Sequence, residues 1–361
     1  MTKTIKIIVG IVVIILIIWG LASLGGDNQP ATTNEPIKIG VIAPLTGPGA
    51  IFGNSVVGGI ELAMIDLGAA RTQYKLIIED DGTNPTKSAS AAQKLIEIDK
   101  VQAIISGTSG TAQAIKPLVA NAGIVQICVA CTDVTIADSQ FNFTNSILGE
   151  DEARAWVGET VRRGLKKIAI LTQNHPGVNA AADQVKKQAE NAGLQIVHEE
   201  RFAGDLRDFK TIIAKTKQAA PEIIFLRAFP PAMDILGAEL ITQNVAQVST
   251  GGGAFAIVAD PSIFEGRWYV DAGLTDRSFV ERFSSAYPGT RFNTLAAPYA
   301  YDSFMMLSQG LKSGGSASAY LKSLKNYDGK AGRLEQNENG NFRSDPSIWI
   351  IKNGKPALVT F

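Results

Sequence analysis

Residues 37–67 read IKIGVIAPLTGPGAIFGNSVVGGIELAMIDL. The run from Ile37 to Leu45 is almost continuously apolar and rich in β-branched residues, which predicts a strand buried on both faces. Gly47, Pro48 and Gly49 punctuate it, and residues 54–68 then carry small and apolar side chains at helical spacing. Strand, glycine-rich turn and helix in that order open a parallel α/β unit. The unit starts over further along: KIGVIAPLTG at 38–47 is echoed by KIAILTQNHPG at 167–177.

Outward from these two openings, further strand candidates fall at 74–80, 102–106 and 124–130 after the first, and at 195–202, 222–229 and 267–273 after the second. Helical segments at 86–99, 111–122, 178–192 and 206–218 separate them. The series predicts two doubly wound parallel-sheet lobes. In such sheets ligands bind beyond the carboxyl ends of the strands. The loops there, 44–53, 107–111, 130–133, 173–178, 227–233 and 250–255, are rich in Gly, Ser, Thr and Phe and poor in Glu, Lys and His. Hydroxyls and backbone N–H groups to orient a solute, with aromatics to cover it, make a binding cleft.

Composition agrees. The 34 Lys+Arg balance 34 Asp+Glu, and 45% of the 361 residues are hydrophobic, so the chain collapses around a core and has no basic excess for nucleic acid. Two His and two Cys leave little for metal or disulfide chemistry, and no cofactor is expected. At the N-terminus, Lys3 and Lys6 precede an uncharged apolar run, Ile7–Leu24. As a helix this run reaches roughly 27 Å, close to the hydrocarbon thickness of a bilayer. With Asp27 and Glu35 after it, residues 1–24 read as a membrane anchor that exports the remainder, or as a signal segment cleaved near Ser23–Gly26. Residues 25–36, GGDNQPATTNEP, form a polar tether.

Three motifs fall short of catalysis. Gly47, Gly49 and Gly53 miss the dinucleotide fingerprint because position 52 is Phe, and Glu79, Asp80 and Asp81 lie too far along for the ribose ligand. Asp80 and Asp81 read instead as turn and lobe-packing residues. Gly107-Thr108-Ser109-Gly110-Thr111 resembles a nucleophile elbow but ends in Thr, and a base would have to come from His175 or His198. Cys128 and Cys131 have redox-motif spacing after a strand, which leaves open a short-loop disulfide or two free thiols.

The opening run, with EDDGTNP (79–85), AIISGTSGT (103–111), IVQICVACTD (124–133), KKIAILTQNHPG (166–177), IIFLRAFPPAMDIL (223–236) and PYAYDSFMML (298–307), resembles the leucine/isoleucine/valine-binding proteins that serve ABC importers. The resemblance spans about residues 37–356. It implies the type I periplasmic-binding fold, two lobes joined by a three-segment hinge, with crossings near 147–150, 271–275 and 326–330. Lobe 1 is then 37–148 and 274–327, and lobe 2 is 149–273 and 328–361. It also implies a monomeric, non-enzymatic, extracytoplasmic protein that closes on a small solute and presents it to an ABC permease. A ligand-sensing receptor subunit and an exported serine hydrolase using Ser109 are the alternatives.

Carried over by position, the resemblance places Phe52 and Phe229 as aromatics over the ligand, although either also reads as plain core packing. Thr108 and Ser109 fall in a carboxylate-binding loop, Ala130 and Thr132 offer a carbonyl and a hydroxyl, and Pro176 stands where many members have Tyr. Tyr299 borders the cleft, while Tyr301 and Asp302 read as structural. The ammonium-binding Glu expected near Gly252 is absent. Arg227 and Phe229 end one strand two residues apart and so point to one side. With Arg227 in the cleft, a small organic acid or amide with an apolar tail is preferred over a free α-amino acid. Pairing of Arg227 with a carboxylate is the alternative, with Asp133 or a backbone carbonyl left to take an ammonium group.

Overall fold

The computed structural model describes residues 35–273, 276–312 and 316–360. The anchor or signal reading for 1–24 lies outside these residues. Among the described residues no helix is long and apolar enough to cross a membrane.

The first lobe starts with β1 (Ile37–Ala43), α1 (Ala50–Asp66), β2 (Tyr74–Asp80), α2 (Pro85–Gln93), β3 (Ala103–Ser106), α3 (Ser109–Ala122), β4 (Val125–Val129) and β5 (Asn142–Asn145). The second holds α4 (Gly149–Arg162), β6 (Lys167–Gln173), α5 (Pro176–Asn191), β7 (Gln195–Phe202), α6 (Lys210–Ala219), β8 (Ile223–Arg227), α7 (Ala232–Thr242), β9 (Gln247–Ser249), α8 (Ala254–Ile257) and β10 (Trp268–Ala272). The chain then returns to the first lobe as α9 (Arg277–Ala286), α10 (Ala297–Lys312), α11 (Ala317–Ser323), β11 (Asn326–Gly329), β12 (Gly332–Gln336) and β13 (Asn341–Arg343). It ends on the second with β14 (Pro346–Lys352) and β15 (Lys355–Leu358).

The first sheet has the order β11-β12-β13-β5-β4-β3-β1-β2, and the second lobe carries β7-β6-β8-β9 beside an antiparallel β10-β14-β15. A bridge between Thr250 and Tyr269 joins these last two sheets. The shared order β2-β1-β3 and β7-β6-β8, all parallel, is the structural form of the sequence echo. Strand β1 is apolar on both faces because both are covered: Val41 packs with Val56 and Ile60 of α1 in one cluster, and Ile42 with Leu95 and Ile115 in another. The second sheet is sandwiched likewise, with Leu226 and Phe255 on one side and Trp156 and Phe225 on the other. Gly59 lets α1 lie directly on the Ala297 carbonyl of α10, where any side chain would collide with backbone.

One boundary is corrected. Residues 328–343, expected in the second lobe, belong to the first sheet, since β11 and β12 form a hairpin and β13 pairs with β5. Tyr327, Leu334 and Phe342 join the first-lobe core. Asp302 of α10 accepts the N–H groups of Lys330 and Ala331 at 2.7 and 2.8 Å, pinning the hairpin turn. The last passage between lobes therefore lies between Arg343 and Pro346, not at 326–330. The other two passages follow β5 and β10.

Candidate functional site

In each lobe the strand order reverses at the first strand, so the crevices for ligands open beyond β1/β3 and β6/β8. These ends face each other across one cavity. Its walls are Phe52, Gly107, Thr108, Ser109, Ala130, Thr132 and Leu295 from the first lobe, and His175, Gly177, Val178, Arg227, Ala228, Phe229, Gly252, Ala254 and Ile257 from the second. The cavity has about 50 Å³ of free volume, room for a small solute.

On the first-lobe side, Thr108 caps α3 by accepting the Thr111 N–H, and its hydroxyl also meets that of Thr111 at 2.8 Å. Thr111 in turn donates to buried Asp81 at 2.5 Å, which also takes Ser88 at 2.7 Å. Thr108 is thus committed to the protein. Ser109, the first residue of α3, is not: its Oγ is buried and has no partner. The leading N–H groups of α3 are likewise unpaired within the helix. Ala130 adopts φ 55° where the chain leaves β4, and Thr132 donates to the Gly177 carbonyl at 2.7 Å, a bond between lobes.

The second-lobe side brings the start of α5 to the start of α3. A Cβ on Gly177 would lie 2.9 Å from Ser109 Oγ, and one on Gly110 would lie 3.2 Å from His175 Nε2. Two helix N-termini, each a partial positive charge, converge on one buried hydroxyl. Phe229 is set edge-on to Phe52 across the cleft (ring centroids 6.0 Å apart) and to His175 (5.1 Å). Burial, with Arg227 nearby, holds the His175 imidazole down at about 4, so it is neutral. Its Nδ1 has no partner.

Arg227 ends β8 and is ion-paired with Glu152 of α4. The glycine run 251–253 wraps this pair: a Cβ on Gly251 would strike Glu152, one on Gly252 would strike Arg227, and one on Gly253 would lie 2.6 Å from Asp271 Oδ2. Gly252 and Gly253 both have φ 62°, which only glycine adopts freely. Burial pushes the Glu152 carboxyl up while Arg227 opposes it. Burial likewise raises Asp271 to about 7, against the hydrogen bonds of Thr294 and the Ala272 N–H.

Eight of the ten residues expected at the site line the cavity: Phe52, Thr108, Ser109, Ala130, Thr132, Arg227, Phe229 and Gly252. Two do not. Pro176 is the first residue of α5, turned to a neighbouring groove with Asp133 and Asn179. Tyr299 is buried, with its hydroxyl on Ser344 and its carbonyl accepting from Asn145 at 3.0 Å, both beside lobe crossings. His175 and Gly177 are gained at the wall, and Glu152 behind it. The signal for His175 was its place before a proline at a helix start; Glu152 gave none. Arg227 is in the cavity and paired with a carboxylate, so both readings of it hold together. Asp133 is engaged with Gln113 and Thr135. Cys128 and Cys131 are joined and buried.

The profile of the periplasmic binding protein family matches residues 36–342. A Leu/Ile/Val-binding protein homologue of Brucella abortus is 27% identical over 256 residues, 67% of each chain. A leucine-, isoleucine-, valine-, threonine- and alanine-binding protein of Pseudomonas aeruginosa is 27% identical over 228 residues, 61% of each. Among solved structures, a leucine binding protein of Thermotoga maritima aligns with a TM-score of 0.79 at 20% identity, over 90% of this chain and 98% of that one. An ABC-transporter solute binding protein of Rhodopseudomonas palustris in complex with 3,4-dihydroxybenzoic acid gives 0.78 at 20% identity, over 90% and 96%.

Proposed function

The chain belongs to the periplasmic binding protein family, and from that premise we propose that its cleft captures one small amphiphilic solute bearing a carboxylate, a branched-chain amino acid or a related acid or amide, for delivery to an ABC permease. The observation that carries this is the buried, unpartnered Ser109 hydroxyl at the meeting of two helix N-termini, between apolar walls of Phe52, Phe229, Ile257 and Leu295. A carboxylate accepts from that hydroxyl and from the helix-start N–H groups, and an apolar tail fills the aromatic side. Relatives named for branched-chain amino acids, and a structural neighbour in complex with an aromatic acid, support this reading.

Capture works by closure. The bond from Thr132 to Gly177 and the Phe52–Phe229 contact exist only when the lobes meet. A solute that touches both walls adds its contacts to the closed form alone. Moving closure from 1:99 to 99:1 needs about 5.5 kcal/mol of such differential binding. The hydrolase alternative finds no support, since no hydrogen bond among the described residues joins Ser109 to His175 and no carboxylate orients the His175 ring.

The run Ile7–Leu24 behind Lys3 and Lys6 supports a tether to the membrane. N-terminal sequencing of the membrane fraction checks it, and a start near Gly26 would speak for cleavage. The solute reading is tested by thermal unfolding with a panel of aliphatic and aromatic acids, their amides and amino acids. A true ligand at 100 times its dissociation constant adds about 2.7 kcal/mol of stability. No shift with any carboxylate would refute the reading.

A further inference from the structure

We infer that Arg227 and Glu152 together set which solutes the cleft accepts: a monocarboxylate whose neighbouring substituent is an uncharged hydrogen-bond acceptor, such as a 2-oxo or 2-hydroxy acid with an apolar tail. This rests on the carboxylate reading of the cavity. Arg227 is the one charged side chain among the described residues of the wall. Its hydrogen-bond partner among them is Oε1 of Glu152, whose side chain is 1% exposed and whose Oε2 has no partner. The guanidinium lies over Gly252, so a side chain at 252 has no room to bring a carboxylate into this wall.

Three kinds of substituent next to the carboxylate meet this wall differently. An ammonium group faces a guanidinium with no lining carboxylate to take it, so its charge is desolvated against neutral acceptors such as the Ala130 carbonyl alone and is only partly compensated. A second carboxylate finds donors, but the charge of Arg227 is already balanced by Glu152 directly behind it. An uncharged oxygen accepts from the guanidinium N–H groups that Glu152 leaves free and brings no charge of its own. Discrimination thus comes from an element that repels, the pair, as much as from one that attracts. Glu152 acts through Arg227 and is a positioning residue; the three glycines at 251–253 are the space the pair requires.

The test is calorimetry with four probes that differ only at one position: leucine, 4-methyl-2-oxopentanoate, 4-methylpentanoate and isobutylmalonate. In the wild-type protein the oxo acid is expected to bind about tenfold or more tighter than leucine and isobutylmalonate, and several-fold tighter than 4-methylpentanoate. Glu152→Gln, shown to be folded by circular dichroism, should narrow the gap between isobutylmalonate and the oxo acid by about tenfold, because the second carboxylate then has a whole positive charge to meet. Arg227→Gln should erase the advantage of the oxo acid over 4-methylpentanoate. Leucine binding as tightly as the oxo acid in wild type overturns the inference without recourse to any variant. So does an unchanged dicarboxylate ratio in folded Glu152→Gln, or an unchanged oxo-acid advantage in Arg227→Gln. Binding by none of the four overturns the inference for this class of acid, and the carboxylate reading itself falls only if the wider thermal panel also shows no shift, an outcome distinct from binding in the wrong order.

Discussion

On the first-lobe side of the cavity the polar groups are hydroxyls and helix-start N–H groups, whereas the second lobe contributes Arg227 and His175, with Glu152 and Asp271 packed behind them. The first wall is held by a local network, Thr108 to Thr111 to Asp81, that leaves Ser109 free. The second is held by a long-range ion pair that needs a run of glycines to fit. A wall of neutral donors offers a ligand groups that are cheap to desolvate and poor at discriminating. A wall of buried charges is costly to build, since each must be matched within the protein, and it discriminates sharply. On the proposed reading, the contrast divides docking and selection between the lobes.

If the charged wall is the costly one, stability should titrate through it, and His175 is the group whose part in that titration a single substitution isolates. Its imidazole sits at about 4 in the folded protein against an ordinary 6.5. Between those values the unfolded chain binds a proton that the folded protein does not. Stability from this group is therefore complete above pH 6.5 and is lost as the pH falls toward 4. Asp271 runs the other way: raised to about 7, it favours the fold at low pH, and that contribution is lost as the pH rises through 7. The opposed slopes flatten the wild-type profile. Subtracting the profile of His175→Gln isolates the first of them. Relative to that variant, wild type should lose about 2 kcal/mol between pH 7 and pH 5, measured by urea unfolding. A difference independent of pH would mean that the imidazole is not held neutral, and the contrast between walls would weaken.

Ser109→Ala probes the neutral wall. Its hydroxyl touches no protein partner, so deletion should leave the unfolding of the free protein unchanged within about 0.5 kcal/mol. A hydrogen bond to a carboxylate contributes about 1.5–3 kcal/mol, so affinity for the bound acid should fall at least about tenfold by calorimetry. Loss of stability without loss of affinity would reverse the roles given to the two walls.

Much of this was legible beforehand, for reasons that can be located. Buried parallel strands are long apolar runs, and the breaks after Ala43 and Gln173 mark the strand ends where ligands gather, so both walls were found from pattern. Phe52, among glycines, and Phe229, before Pro230 and Pro231, stand out because aromatics at strand-end loops have little else to pack on. The β11–β12 hairpin escaped because its strands are short and polar, and its place depends on Asp302, which binds its turn from another element. Glu152 escaped for a different reason. It lies in the acidic first turn of α4, with Glu150 and Asp151, where favourable interaction with the helix N-terminus accounts for any of the three. Its pairing with a residue 75 positions away is visible only in three dimensions.

Pro176 gives the smallest expected effect and the closest check on where the cavity ends. By resemblance it belongs to the ligand wall; in the structure its neighbour His175 takes that place and Pro176 begins α5. At the first helical position proline has no N–H to miss, and its fixed φ restricts the unfolded chain. Pro176→Ala should therefore cost roughly 0.4–1 kcal/mol of stability. It should leave affinity for the same acid within about twofold, since Pro176 lines the adjoining groove and not the cavity that holds the solute. Calorimetry and urea unfolding on one preparation separate the two quantities. A tenfold loss of affinity would mean that the solute reaches past His175 into the groove lined by Asp133, Asn179 and Asp183. The selecting wall would then extend to carboxylates at the cleft mouth, and an ammonium-bearing solute would regain a place to bind.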